Sequence, residues 1–96
     1  MNEIILELIV RNHPGVMSQI TGLFSRRSFN LEGILCAAMG QAEKSRMFLL
    51  VREDIRLEQV LRQLEKLYDV FAIIVHDREN SEMYTKMERL LKEVAG

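Results

Sequence analysis

The apolar positions of the chain switch between two rhythms, and the switches mark its elements. Ile4 to Val10 is aliphatic, interrupted only by Glu7, and predicts a first strand. Asn12-His13-Pro14-Gly15 ends it, because Pro14 has no N–H to give a ladder and Gly15 tolerates backbone angles closed to other residues. Val16, Ile20, Leu23 and Phe24 then fall on one side of an amphipathic helix, with Arg26 and Arg27 expected in its last turn. Leu31 to Met39 predicts a second strand, weakened at Gly33, and Gly40 to Lys44 a polar hairpin loop. Arg46 to Val51 follows as a third strand. Asp54 offers an N-cap to a second helix striped by Leu57, Val60, Leu61, Leu64 and Leu67. Val70 to Val75 predicts a fourth strand, and Ser81 to Val94 a terminal helix with Met83, Met87, Leu90, Leu91 and Val94 along one side.

The order β-α-β-β-α-β is that of ferredoxin-like folds, an α+β class. It predicts a four-stranded antiparallel sheet with two helices on one face, plus a C-terminal helix. Such a sheet, wet on its other face, should alternate apolar and polar residues. These strands do not. Ile4, Leu6, Leu8 and Val10 are opposed by Ile5 and Ile9, and Val70, Ala72 and Ile74 by Phe71, Ile73 and Val75. Both faces call for cover, and two covers remain open: the terminal helix folded over the second face, or the surface of a partner.

Ninety-six residues build one domain, which buries only about two-thirds of its unfolded surface and is marginal alone. Cys36 is the single cysteine, expected as a small buried apolar residue in a reducing compartment, so no internal disulfide assists. Oligomerisation is the expected source of further stability. Thirteen basic against fourteen acidic residues leave no cationic excess for a nucleic-acid partner. Met1-Asn2-Glu3 leads directly into the first strand without a basic and apolar leader, and no apolar run approaches a membrane span. The expectation is a cytoplasmic protein that binds neither nucleic acid nor membrane.

The residues assemble no catalytic set. His13 and His76 have no cysteine or second histidine at metal-ligand spacing, and no glycine-rich phosphate loop is present. Glu58 and Glu65 read as solvated charges on a helix face, and His76 beside Asp77 as the surface end of a strand. One constellation stands out, the loop Asn12-His13-Pro14-Gly15-Val16 that opens the first helix. A helix N-terminus presents unpaired N–H groups and partial positive charge, a seat for a carboxylate, and Gly15 lets a ligand approach the backbone. Asn12 and Asn30 carry amides at the end of strand one and the start of strand two. They converge only across the strand-helix-strand edge or across a dimer interface. The bland alternative, a simple helix-opening turn with two turn asparagines, stays open at this level.

The segments Arg11-Asn12-His13-Pro14-Gly15-Val16-Met17 and Gly22-Leu23-Phe24-Ser25-Arg26-Arg27-Ser28-Phe29-Asn30-Leu31-Glu32-Gly33-Ile34 resemble the ACT-domain regulatory (small) subunits of acetolactate synthase, also called acetohydroxyacid synthase. The resemblance is closest to the short form of the first bacterial isozyme and covers roughly residues 3 to 76. It implies an ACT domain, taken over residues 1–78, and the patterned helical extension over 79–96 is a departure that the resemblance does not cover. It also implies a side-by-side homodimer, in which two sheets join and first helices meet. In that family valine binds between the loop of one protomer and the start of strand two of its mate. On that resemblance the amides of Gly15 and Val16 hold the ligand carboxylate, and Asn12 shapes the loop. Asn30 of the neighbouring chain takes polar atoms, and Leu31 or Ile34 meets the branched side chain. The chain itself would carry no cofactor. Its catalytic large subunit would carry thiamine diphosphate, magnesium and FAD, and this chain would activate it and confer feedback inhibition by valine. The alternative is a stand-alone ACT-domain amino-acid sensor with a different partner.

Two other readings share the topology and fit less well. Acylphosphatases cradle an anion before the first helix with an arginine in its first turns, where Met17, Ser18 and Gln19 stand here. RNA-recognition domains stack bases on strand aromatics, and here only Phe48 and Phe71 lie in strands, without a basic stripe.

Overall fold

The computed structural model describes residues 3–40, 43–77, 79 and 81–95. The elements run β1 (Glu3–Arg11), α1 (Val16–Ser25), β2 (Gly33–Met39), β3 (Lys44–Arg52), α2 (Leu57–Glu65), β4 (Val70–Asp77) and α3 (Glu82–Ala95). All pairings are antiparallel and the sheet order is β2-β3-β1-β4, so β2 and β4 are the edges. This is the predicted ferredoxin-like fold. No helix among the described residues is long and apolar enough to cross a membrane.

Side-chain alternation sends Ile4, Leu6, Leu8 and Val10 of β1, with Met47, Leu49 and Val51 of β3, onto one face. There they bury the stripes of α1 (Val16, Ile20, Leu23, Phe24) and α2 (Leu57, Val60, Leu64). The opposite face forms a smaller core of Ile5, Phe48, Leu50 and Tyr84, with Leu35, Met83, Met87 and Leu91 around it. The doubly apolar strands are thus explained in part by α3, which crosses β4, β1 and β2 on that second face. Gly33 marks the crossing. A Cβ there would stand 3.2 Å from Leu91 Cδ1, so the strand glycine admits the helix.

Between these layers lies a buried charge. Glu7 is only 6% exposed. Its carboxylate sits 2.8 Å from His76 Nε2 and 3.1 Å from Arg46 Nε. His76 Nδ1 is 2.7 Å from Ser81 Oγ, and Ser81 Oγ accepts from Tyr84 N–H at 3.1 Å as the N-cap of α3. Since a carboxylate only accepts, Nε2 carries a proton, and in a neutral ring Nδ1 accepts from the Ser81 hydroxyl. His76 is therefore not a surface strand end. It couples the sheet to the start of α3.

Several local expectations shift. Strand two begins at Gly33 rather than Leu31, because Leu31 turns inward against the helix-side core. Helix α1 is regular to Ser25, and Arg26 and Arg27 form its closing turn: Ser28 N–H donates to Ser25 O and Phe29 N–H to Phe24 O, with Ser28 at φ 60. That pair of bonds is a Schellman closure, with serine where glycine is usual. Arg27 still reaches back, donating to Leu23 O at 3.4 Å. Asp54 accepts from Arg56 N–H at 2.8 Å and so starts the turn ahead of α2. Glu58 and Glu65 are exposed as expected, Glu58 paired with Arg62. Cys36 is exposed, not buried, since α1 and α2 cover the inner strands and leave this side of edge strand β2 bare. Residues 41 and 42 of the expected hairpin lie outside the described residues.

Candidate functional site

The β1–α1 loop is fixed from below. Arg11 donates from its backbone to Asp69 O (2.8 Å) and from Nε to Asp69 Oδ1 (3.1 Å), and its guanidinium lies over Tyr68 and Phe71. Asn12 N–H donates to Glu43 O and His13 N–H to Arg11 O, each at 3.0 Å. His13 Nδ1 meets Pro14 O at 2.7 Å. The chain then turns at Gly15, φ 89 and ψ −14, a left-handed conformation that glycine adopts without strain. A Cβ built there meets nothing within 4 Å, so the space above the residue is open.

This turn leaves the start of α1 bare. Among the described residues no side chain caps it and no acidic residue occupies its first turn. Gln19 N–H bonds Gly15 O, whereas Val16 N–H reaches His13 O only at 3.4 Å, beyond the usual N–H···O range. The N–H of Gly15 meets no acceptor among the described residues. An open depression of about 240 Å³ lies here, lined by the loop from Val10 to Met17 and by Cys36, Ser45 and Met47. Its chemistry is a set of main-chain donors with partial positive charge beside apolar walls, which suits a small anion bearing an apolar group. It offers no nucleophile. Partial burial raises the Cys36 thiol above its ordinary pKa, so it is held as the thiol. No group of His, Cys, Asp or Glu that could hold a metal ion occurs among the described residues.

The predicted site residues fall into two groups. Asn12, Gly15 and Val16 stand together at the loop, Asn12 and Gly15 exposed and Val16 with its side chain in the core. Asn30, Leu31 and Ile34 stand elsewhere. Register places the loop end of β1 beside Lys44 and Met39, and the start of β2 beside Leu50 and Ile5. Six steps along β2 separate Gly33 from Met39, about 20 Å at strand rise. Asn30 is exposed, Leu31 leans on its own core, and Ile34 is 42% exposed on the helix side of the edge strand. One chain alone does not bring the two groups together. Met17, Cys36, Ser45 and Met47 also line the depression, and the sequence reading passed over them. The period-two placement of Ile34, Cys36 and Ala38 on one side of β2 was the available signal.

The acetolactate synthase isozyme 1 small subunit of Escherichia coli strain K12 is 54% identical over 72 residues, which cover 75% of each chain. The acetolactate synthase small subunit of Mycolicibacterium smegmatis is 40% identical over 77 residues, 79% of this chain but 45% of that longer one. Among solved structures, the acetolactate synthase small subunit from Thermotoga maritima superimposes with a TM-score of 0.72 at 25% identity, over all of this chain and 70% of that one. Residues 6–72, from the middle of β1 into β4, match the AHAS (acetohydroxyacid synthase) small subunit-like ACT domain, and the chain belongs to that family.

Proposed function

We propose that this chain is the regulatory small subunit of an acetolactate synthase and binds valine between two copies of itself. The observation that carries the reading is the uncapped start of α1 above a left-handed Gly15, joined to the 54% identity with an isozyme 1 small subunit. The Gly15 and Val16 amides hold the effector carboxylate, the weak Val16 contact to His13 O being one a ligand exchanges at little cost.

The second group of residues arrives from a mate. Strand β2, Gly33-Ile34-Leu35-Cys36-Ala37-Ala38-Met39, is an edge without a single charge or proline, lacking the usual protection against pairing. The other edge, β4, is irregular beside Ile9 and Val10 and ends in His76 and Asp77. Two β2 edges joined antiparallel about a two-fold axis put the start of one strand beside the end of the other. Asn30 and Ile34 of the mate then reach the Asn12–Val16 loop, with Leu31 of the mate, turned into its own core, behind them. The helices of both copies share one face of the joined sheet.

The dimer works in the cytoplasm on a catalytic large subunit that carries the thiamine diphosphate, magnesium and FAD, activating it and transmitting inhibition. A coupling of about 1–3 kcal/mol between effector and partner is enough for feedback control. The test is reconstitution with the cognate catalytic chain, alongside calorimetric titration with valine, leucine and isoleucine. Gly15→Asp should abolish valine inhibition while association persists, since it sets a negative charge where the carboxylate sits. Unchanged sensitivity contradicts the site. Failure of the unaltered chain to associate with the catalytic chain contradicts the subunit reading and favours a stand-alone sensor.

A further inference from the structure

The apolar stripe of α3 outruns the sheet beneath it. Met83, Met87 and Leu91 pack on the second face, yet Val94, one turn further along that side, is 80% exposed, and Leu90 beside it is exposed as well. The lengths explain why. From Tyr84 to Leu91 the helix rises about 10 Å, which matches the two strand spacings from β1 to β2. Leu91 already stands against Gly33 on the edge strand. Val94 lies about 4.5 Å beyond, close to one further strand spacing. It hangs over the place where a fifth strand would run.

The same face carries an apolar groove with no helix above it. A space of about 450 Å³ is lined by Leu35, Ala37, Met39 and Phe48, with Arg46 as its one charged wall. It lies towards the Met39 end of β2, away from where α3 crosses at Gly33. The Arg46 side chain is 43% exposed, and its Nε, though 3.1 Å from Glu7, is buried and aligned with no hydrogen-bond acceptor.

We propose that the last turn of α3 crosses the β2 edge and closes over this groove in a second copy. The proposal rests on the β2-edge dimer described above and assigns the terminal helix a role within it. Antiparallel joining through β2 keeps both second faces on one side and lays the Met39 end of one strand beside the Gly33 end of the other. The overhanging Val94 of one copy then faces Ala37 and Met39 of its mate, and the operation is reciprocal. The charges agree: the carbonyl end of a helix is partially negative, and the groove presents Arg46.

Disulfide trapping tests this directly. In a Cys36→Ser background, Val94→Cys is combined with Met39→Cys or, to span the neighbouring register, Ala37→Cys. Within one chain positions 39 and 94 lie near opposite ends of β2, too far apart to bond, so a bridge forms only between copies. The expected result is a covalent dimer on oxidation, with the 39–94 or 37–94 link identified by mass spectrometry. A second measurement is sedimentation equilibrium of Val94→Asp. It should weaken dimerisation at least about tenfold, because a charge replaces a valine that only the paired copy covers, while Thr85→Asp on the solvent side of α3 leaves it unchanged. A wild-type dimer with neither link and with full-strength Val94→Asp assembly overturns the proposal and spares the dimer. A monomeric wild-type chain overturns both.

Discussion

Gly15 and Ser28 are left-handed positions at the two ends of α1, and they illustrate opposite choices. Gly15 sits at φ 89 where a side chain would be strained, and the space beyond it is empty. Ser28 sits at φ 60 with a side chain, closing α1 ahead of Asn30. Ser28→Gly should relieve the left-handed strain, stabilising the fold by about 0.5 kcal/mol after the added unfolded-state entropy. Thermal unfolding at fixed protein concentration should rise by about 2–4 °C. Asp54 makes a separate prediction. Hydrogen bonds from the Arg56 side chain and backbone lower its pKa to about 2. A depressed carboxyl contributes stability fully above its unfolded value, about 3.9, and loses that contribution as the pH falls towards 2. A carboxyl NMR titration should show that low midpoint, and Arg56→Ala should return it towards the ordinary value. Gly15 was legible in the sequence as a special residue. Ser28 was not, because nothing about a serine announces a left-handed angle.

Among elements, the helices were readable from one apolar stripe each, and the strands from aliphatic, β-branched runs set between turn residues. What resisted reading was the second face of the sheet. Ile5 and Ile9 beside Glu7 signalled cover without saying which. The structure puts Glu7 between His76 and Arg46, and ties His76 through Ser81 to the start of α3. Partners 69 residues apart leave no local trace, so from the sequence alone His76 reads as a surface residue. Glu7→Ala should cost about 2 kcal/mol, since it removes the acceptor from the largely buried His76 imidazole and the counter-charge from the Arg46 guanidinium. Denaturant unfolding measures that loss. Ser81→Ala removes the cap of α3 and should cost about 1 kcal/mol, with faster hydrogen exchange at the Tyr84 amide as its local sign.

For the whole molecule, the fold was legible and the site only half so. The loop of main-chain donors was found from Pro14 and Gly15, but its counterpart at Asn30 stands at the far end of the same sheet. The sequence left two ways for Asn12 and Asn30 to meet, within one strand-helix-strand edge or across two copies, and the register of β1, β3 and β2 sets them at opposite ends within one chain. The bare β2 edge and the overhanging α3 both point beyond the single chain. Effector binding and assembly should therefore be linked, and valine should tighten the dimer by mass action.

Mixing two defective variants measures the central claim most directly. Gly15→Asp damages the loop and Asn30→Ala the opposite wall, so neither homodimer should bind valine in a calorimetric titration. After subunits exchange, half of the dimers are mixed, and each mixed dimer holds one site built from an intact loop and an intact Asn30, restoring about a quarter of the sites by two-fold symmetry. A mixture as silent as its components would show that each chain builds its site alone, against this account.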